Sequence, residues 1–328
     1  MLLPPFELHE PTTVAEAVAL RQEHPEADWL AGGTDLLPNY KWGLNTRGHV
    51  IGLHRIEELR AITPTKIGAL ATLTQIAEHA ELRARVPVLA STAALIASPL
   101  IRNSGTLGGN LLLENRCFFF NQSFLWRESI NFCLKADGDA CHVVPQKEKC
   151  YATFSADLPG PLIALGAEFE LAGPKGLRRV PAAAFYNNDG IARLNKGPDE
   201  LLTFVHLPLS AAGLRASYQK LRQRDSWDFP ELGIAAALRL EAGRLAEFHL
   251  VANALECAPV VLDELGRAHL GQPFTDAVVE EIAAAVEAKI RPVKNTNLLP
   301  SYRKRMSRVF AARAMREARD GPQVQSTG

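Results

Sequence analysis

The sequence predicts an α+β fold, on three observations. Two S/T-x-x-E/Q capping boxes, Thr13 with Glu16 and Thr72 with Gln75, open amphipathic stretches that lie next to strand-like runs. Further strand-like runs with short connections carry the chain to about residue 211. Beyond it, YQKLRQRDSWDF and GIAAALRLEAGRLAEFHLVANAL, turning at EAGR, suggest a small antiparallel sheet followed by helices. A chain of 328 residues exceeds the usual single-core size, so two or three packed units are expected.

Taken in order, VAEAVALRQEH has apolar residues at helical intervals, and DWLAGG is a short strand running into a turn. KIGALA (66–71) is strand-like, TQIAEHAEL helical, and VPVLASTAALIAS a helix stopped by Pro99. PLIALGAEFELAG and the region to LTFVHLPL are expected as strands, and TDAVVEEIAAAVEAKI and SYRKRMSRVFAARAMREAR as helices. The expected organisation is a first domain over 1–211, a second over 212–320 and a disordered tail over 321–328. No internal repeat is evident.

Hydrophobic content of 47%, charged content of 22% and a formal net charge of zero lack the basic excess that phosphate backbones demand, so nucleic acid is not an expected partner. The start, MLLPPFELHEP, lacks the n-region and apolar core of a signal peptide, and no window has the roughly 18 apolar residues of a membrane span. A cytoplasmic location without membrane contact is expected. Thiols stay reduced there, so clustered cysteines point to metal or redox chemistry more than to disulfides.

Two glycine turns, AGGTD (31–35) and TLGGN (106–110), invite a chemical reading. Paired glycines let backbone N–H groups approach an anion closely, because no Cβ intervenes, and a concave run of amides suits a pyrophosphate. Neither turn has GxGxxG or P-loop spacing, so on the residues alone a plain turn is the favoured reading.

The order LAGGTDLLP, IGALATLTQIAEH and SPLIRNSGTLGGNLL resembles the FAD-binding subunit or domain of the molybdenum hydroxylase (xanthine dehydrogenase) family, over nearly the whole chain. Asp157, Pro161, ALGA (164–167) and YQKLRQRD extend the likeness. The resemblance implies a flavin fold of the PCMH/vanillyl-alcohol-oxidase type, with two α/β subdomains, followed by a three-stranded antiparallel sheet with helices. It further implies FAD held by Trp29, Leu30, Ala31, Gly32, Gly33, Thr34, Asp35, Leu36 and Leu37, and by Thr106, Gly108, Gly109 and Asn110. By the same resemblance Ile96 would give an apolar flavin contact, Asp157 a carboxylate at the ribityl or ring region, and Lys220 a cation at the isoalloxazine. Without it, Asp157 and Lys220 read as a solvated loop acid and a surface strand lysine.

Relatives of this kind have only a few residues between the GGN turn and the acid matched to Asp157, whereas here 46 residues separate Asn110 from Asp157. An insertion over 113–154 is therefore expected, and it holds four of the five cysteines, Cys117, Cys133, Cys141 and Cys150. Phe118, Phe119, Phe120, Phe124, Leu125, Trp126 and Phe132 are expected to be buried in it. A metal centre would organise a segment with little regular structure. The gaps of 15, 7 and 8 residues match neither a zinc knuckle nor the bacterial ferredoxin run, so spacing leaves iron–sulfur, zinc and free thiols open.

RC-F-x-NQS-x-x-WR around Cys117, CLK at Cys133, CHV at Cys141, CYAT at Cys150 and the later RDSWDFP resemble the β subunits of 4-hydroxybenzoyl-CoA reductases. That likeness implies a [4Fe–4S] cluster on the four thiolates. It also implies a large molybdenum-cofactor subunit and a small [2Fe–2S] subunit in an (αβγ)2 heterohexamer, with ferredoxin as electron donor. Electrons would pass through the cluster and FAD toward molybdenum, where an aromatic acyl-CoA loses its phenolic hydroxyl, so no residue of this chain would touch substrate. The alternative is the FAD subunit of a hydroxylating molybdenum enzyme whose insertion binds zinc or serves for docking. His142 is expected near the cage but not as a ligand, and Cys257 as a remote buried hydrophobe.

Overall fold

Thr13 accepts a hydrogen bond from the Glu16 N–H at 3.1 Å and starts the helix Val14–Glu23 in the computed structural model, which describes residues 2–321. The Glu16 carboxylate turns back one residue further than a capping box requires, to the backbone N–H and hydroxyl of Thr12. Thr72 and Gln75 form the complete reciprocal box and open the helix Leu73–Glu78.

Three short strands, β1 (Glu7–His9), β2 (Asp28–Leu30) and β3 (His49–Gly52), form a parallel sheet in the order β1-β3-β2, with the helix Val14–Glu23 packed against β3. A second sheet is antiparallel, in the order β4-β7-β5-β6, from β4 (Lys66–Gly68), β5 (Glu168–Gly173), β6 (Gly176–Pro181) and β7 (Leu201–His206). The third comprises β8 (Arg215–Leu221), β9 (Leu232–Glu241), β10 (Arg244–Asn253) and β11 (Val260–Val261), in the order β11-β10-β9-β8. The expected three strands thus gain a two-residue fourth. Ala242 and Gly243, both at positive φ, make the two-residue turn at EAGR.

β9 explains why GIAAAL has no polar alternation. Ala235 and Ala237 join Tyr218 and Val251 in the core shared with the helices Pro87–Ala94 and Pro159–Ala164. Ile234, Ala236 and Leu238 point the other way, into the core built with helices Asp276–Lys289 and Pro300–Asp320. With both faces buried, small apolar side chains are needed at every position.

Two local expectations are corrected. ALGA (164–167) is not a strand: Pro159 starts a helix that runs to Ala164, and Gly166 at φ +71° ends it before β5. Pro99 does not stop the preceding helix, which ends at Ala94; Ala97 adopts φ +47°, and Pro99 opens the short helix Pro99–Arg102. The expected tail over 321–328 lies, beyond Gly321, outside the described residues. Among the described residues no helix is long and apolar enough to cross a membrane.

Candidate functional site

β2 delivers Trp29 and Leu30 to the edge of the first glycine turn, and the two turns, whose first glycines Gly32 and Gly108 are 76 residues apart, meet in space through Ser104 and Gly105. A Cβ on Gly32 would lie 1.7 Å from the Ser104 carbonyl oxygen, so only glycine permits this packing. Thr106 holds the second turn by accepting from the Gly109 N–H at 3.1 Å, and the Leu107 and Gly108 N–H groups are taken by the carbonyls of Ala71 and Ala69. A Cβ on Gly109 would meet nothing within 4 Å but the Thr106 hydroxyl at 3.1 Å, so this glycine faces open space. Asn110 Oδ1 accepts from the Leu158 N–H at 3.2 Å and ties the turn to the residue after Asp157. Ser104 and Gly105 belong to this junction but gave no signal in the sequence beyond the adjoining SG dipeptide.

Asp157 and Lys220 are neither solvated nor superficial. Lys220 Nζ donates to Asp157 Oδ2 at 3.1 Å and to the Leu95 carbonyl at 3.3 Å, with side-chain exposures of 2% for the lysine and 3% for the acid. The Tyr218 hydroxyl donates to the other oxygen at 2.9 Å. Burial pushes the Asp157 carboxyl above its ordinary range, against the Lys220 ammonium and the two hydrogen bonds that favour the ionised form. Leu95 immediately precedes Ile96, so the pair is anchored to the backbone one residue ahead of Ile96. The Ala97 carbonyl accepts from the Trp227 N–H at 3.1 Å, fixing the loop after β8 to the same segment.

The four cysteines also converge. All are buried, and together with Phe119, Phe120, Leu134 and His142 they line one small, mostly apolar pocket. The stem closes as an antiparallel bridge, Arg116 N–H to the Thr153 carbonyl at 2.8 Å and Thr153 N–H to the Arg116 carbonyl at 2.7 Å. Cys150 packs so closely on Gly190 that a Cβ there would lie 2.7 Å from its Sγ, and the Ala152 N–H donates to that sulfur at 3.4 Å. Burial pushes the Cys117 thiol up to about 12 and the Cys150 thiol up to about 11. Lys135, on the wall, donates to Glu114 Oε1 and to the Gly190 carbonyl, both at 2.5 Å. Burial alone would raise the Glu114 carboxyl, but Arg193 and Lys135 hold it below its ordinary range.

Four cysteines can hold either a single zinc or an iron–sulfur centre. A single zinc draws thiolates to about 2.3 Å, hence about 3.8 Å from one another. Among the described residues, no three of the four thiol sulfurs lie within 4.8 Å of one another. Four sulfur donors with apolar walls suit zinc and an iron–sulfur centre alike. His142 is spent on the Phe132 carbonyl at 2.6 Å.

The cage stands against the first turn. Arg116 is salt-bridged to Asp35, Arg127 Nη2 reaches the Gly43 carbonyl at 3.3 Å, and Leu44 packs in one cluster with Cys117, Cys133 and Cys150. Leu36 and Leu37 begin the short helix between these anchors. Cys257 is buried but not remote: its thiol donates to the Cys150 carbonyl at 3.0 Å. The aromatic expectation fails in part. Phe120 is buried, whereas Phe118, Phe124 and Leu125 are 54%, 56% and 75% exposed, because the segment is too short to fold over its own outer face. An open cleft of about 480 Å³, lined by Arg116, Phe118, Trp227 and Phe229 among others, separates this face from the loop after β8.

Residues 4–210 match the family described as FAD binding domain in molybdopterin dehydrogenase, and residues 216–318 the CO dehydrogenase flavoprotein C-terminal domain. The carbon monoxide dehydrogenase medium chain of Hydrogenophaga pseudoflava is 31% identical, with 97% of this chain and 98% of that one covered. The xanthine dehydrogenase FAD-binding subunit of Escherichia coli O157:H7 is 26% identical, with 94% of each covered. The solved carbon monoxide dehydrogenase from Hydrogenophaga pseudoflava lacking the Mo-pyranopterin moiety superposes with a TM-score of 0.79 at 28% identity, covering 97% of this chain and 98% of that one.

Proposed function

This chain belongs to the molybdopterin dehydrogenase family as an FAD-binding medium subunit, and from its four converging cysteines we propose that it also carries a [4Fe–4S] cluster and serves a reductase resembling 4-hydroxybenzoyl-CoA reductase. The convergence of Cys117, Cys133, Cys141 and Cys150 on one apolar cavity carries this reading. When bound, FAD would exchange electrons singly or in pairs and the cluster one at a time, which suits a relay.

The chain's own residues would do the following. The backbone of residues 29–37 and of Thr106, Gly108, Gly109 and Asn110 would receive the FAD pyrophosphate, with Gly109 leaving the approach open. Ile96 would give an apolar contact, and Lys220, oriented by Asp157 and the Leu95 carbonyl, would place a positive charge that favours negative charge on a ring set against it. The four cysteines would ligate the cluster, and the Ala152 amide donating to Cys150 would favour its thiolate. Partners would be a large molybdenum-cofactor subunit and a small [2Fe–2S] subunit in an (αβγ)2 assembly, with ferredoxin as donor and an aromatic acyl-CoA as substrate elsewhere. The division into a flavin domain over 1–211 and a second domain over 212–320 accompanies this proposal.

Iron, acid-labile sulfide and FAD are to be measured per chain on anaerobically purified protein. One FAD with about four irons and four sulfides is expected. Flavin-yellow protein with zinc and no iron would overturn the cluster and favour a hydroxylating enzyme with a structural zinc insertion.

A further inference from the structure

We propose that His9, His24 and His49, with Glu7 as fourth donor, form a transition-metal site at the edge of the parallel sheet. One ligand nitrogen from each imidazole lies within 4.8 Å of the other two. The rings stack with centroids 4.2 to 5.4 Å apart and planes 21° to 26° from parallel. His9 Nε2 and His49 Nδ1 are 3.2 Å apart, close to the ligand spacing that metal–nitrogen bonds of about 2.0 Å impose in a tetrahedron. The Glu7 carboxylate supplies oxygens 4.0 Å from His9 Nε2 and 3.7 Å from His49 Nδ1.

The backbone holds these donors in place before any ion arrives. β1 and β3 run parallel with Glu7 opposite His49, so strand alternation puts Glu7, His9 and His49 on one face. That face is the one that also carries the buried Ile51, and the helix Val14–Glu23 packs on β3. His24 caps the end of this helix through its main chain, its N–H donating to the Leu20 carbonyl at 2.8 Å and its carbonyl accepting from the Ala27 N–H at 2.9 Å. Only side-chain rotations separate the stack from a converging set. Their partial burial, 13% exposure for His9 and 39% for His49, leaves an entry path from solvent.

Three imidazoles and a carboxylate suit zinc, and imidazole also suits copper and nickel. A bound ion would join the first strand, the end of the first helix and the central strand, next to β2, which leads into the first glycine turn. Its role would be structural, since it closes four positions with protein donors.

The test is zinc titration of the anaerobically purified whole chain, with binding read by calorimetry and the zinc shell by X-ray absorption, which separates imidazole from thiolate ligation. The expected result is an imidazole-type shell, a raised melting temperature, and affinity at least about tenfold weaker in His24→Gln, a loss that even outer-shell changes produce. His24→Gln keeps the main-chain cap, and Glu7→Gln, on an exposed residue, is a second variant expected to weaken binding while the fold persists. A sulfur-only shell, no bound zinc, or unchanged affinity in both variants would overturn the site.

Discussion

The Arg116 guanidinium, one residue ahead of Cys117, is salt-bridged to Asp35 in the first glycine turn and lies over the Phe229 ring at 5.2 Å. One side chain, next in sequence to Cys117, therefore touches both the first turn and the loop after β8. Both charged groups are about a quarter exposed, at 26% each, so Arg116→Met should cost about 1 to 2 kcal/mol. In urea denaturation, Asp35→Asn combined with Arg116→Met should cost little more than the worse single change. Simple addition of the two costs would show that the pair is not coupled.

Cys133→Ser should lose iron and sulfide while most FAD remains, because the glycine turns do not depend on that sulfur. Gly190→Val should do the same without removing a thiol, since its Cβ would press on Cys150 Sγ at 2.7 Å. Metal analysis and flavin absorbance on each variant decide. Unchanged iron in Cys133→Ser refutes the ligand assignment.

The two kinds of glycine should separate in one experiment. Gly32→Ala forces a Cβ into the Ser104 carbonyl and should lower expression and melting temperature. Gly109→Val meets only the Thr106 hydroxyl, so the apoprotein should stay folded by circular dichroism while FAD content falls. Full flavin occupancy in Gly109→Val would remove that loop from the site.

Lys220→Met leaves the Asp157 carboxylate buried without its cation, a change of the kind that costs about 3 to 5 kcal/mol. Adding Asp157→Asn should recover much of the loss, because the neutral amide needs no counter-charge. Chemical denaturation of the single and double variants tests this, and equal stability of the two would argue that Lys220 matters for packing alone.

His249 gives a pH dependence. A hydrogen bond with Asp263 at 2.8 Å raises its pKa, burial opposes, and Glu247 adds to the rise. The raised folded value means that the stabilisation is fully present below the ordinary histidine value of about 6.5 and disappears as pH rises through the folded value. The melting-temperature gap between wild type and His249→Gln should therefore be larger near pH 6 than near pH 9 (both about). A gap independent of pH would mean that the imidazole charge contributes nothing.

Much of the fold follows from local signals. Thr72 and Gln75 make the box that their spacing predicts, Ala242 and Gly243 turn the hairpin, and the two C-terminal helices run where apolar periodicity puts them. Local signals fail where a neighbour decides. ALGA looks strand-like until Pro159 and Gly166 bracket a helix, and Phe118, Phe124 and Leu125 stay exposed although their hydrophobicity asks for cover.

For the site, the sequence by itself determined the donors: paired glycines without side chains, four thiols within 34 residues, and a lysine on a Lys- and Arg-rich strand. Only the tertiary structure decided what these groups face. It set Gly32 on Ser104, left Gly109 open, paired Lys220 with Asp157, brought Arg116 to Asp35 and Gly190 to Cys150, and assembled three histidines from separate segments. The physical reason is range. Backbone preferences act over a few neighbouring residues, whereas desolvation, ion pairing and ligand convergence depend on distances through space that the chain's linear order does not encode.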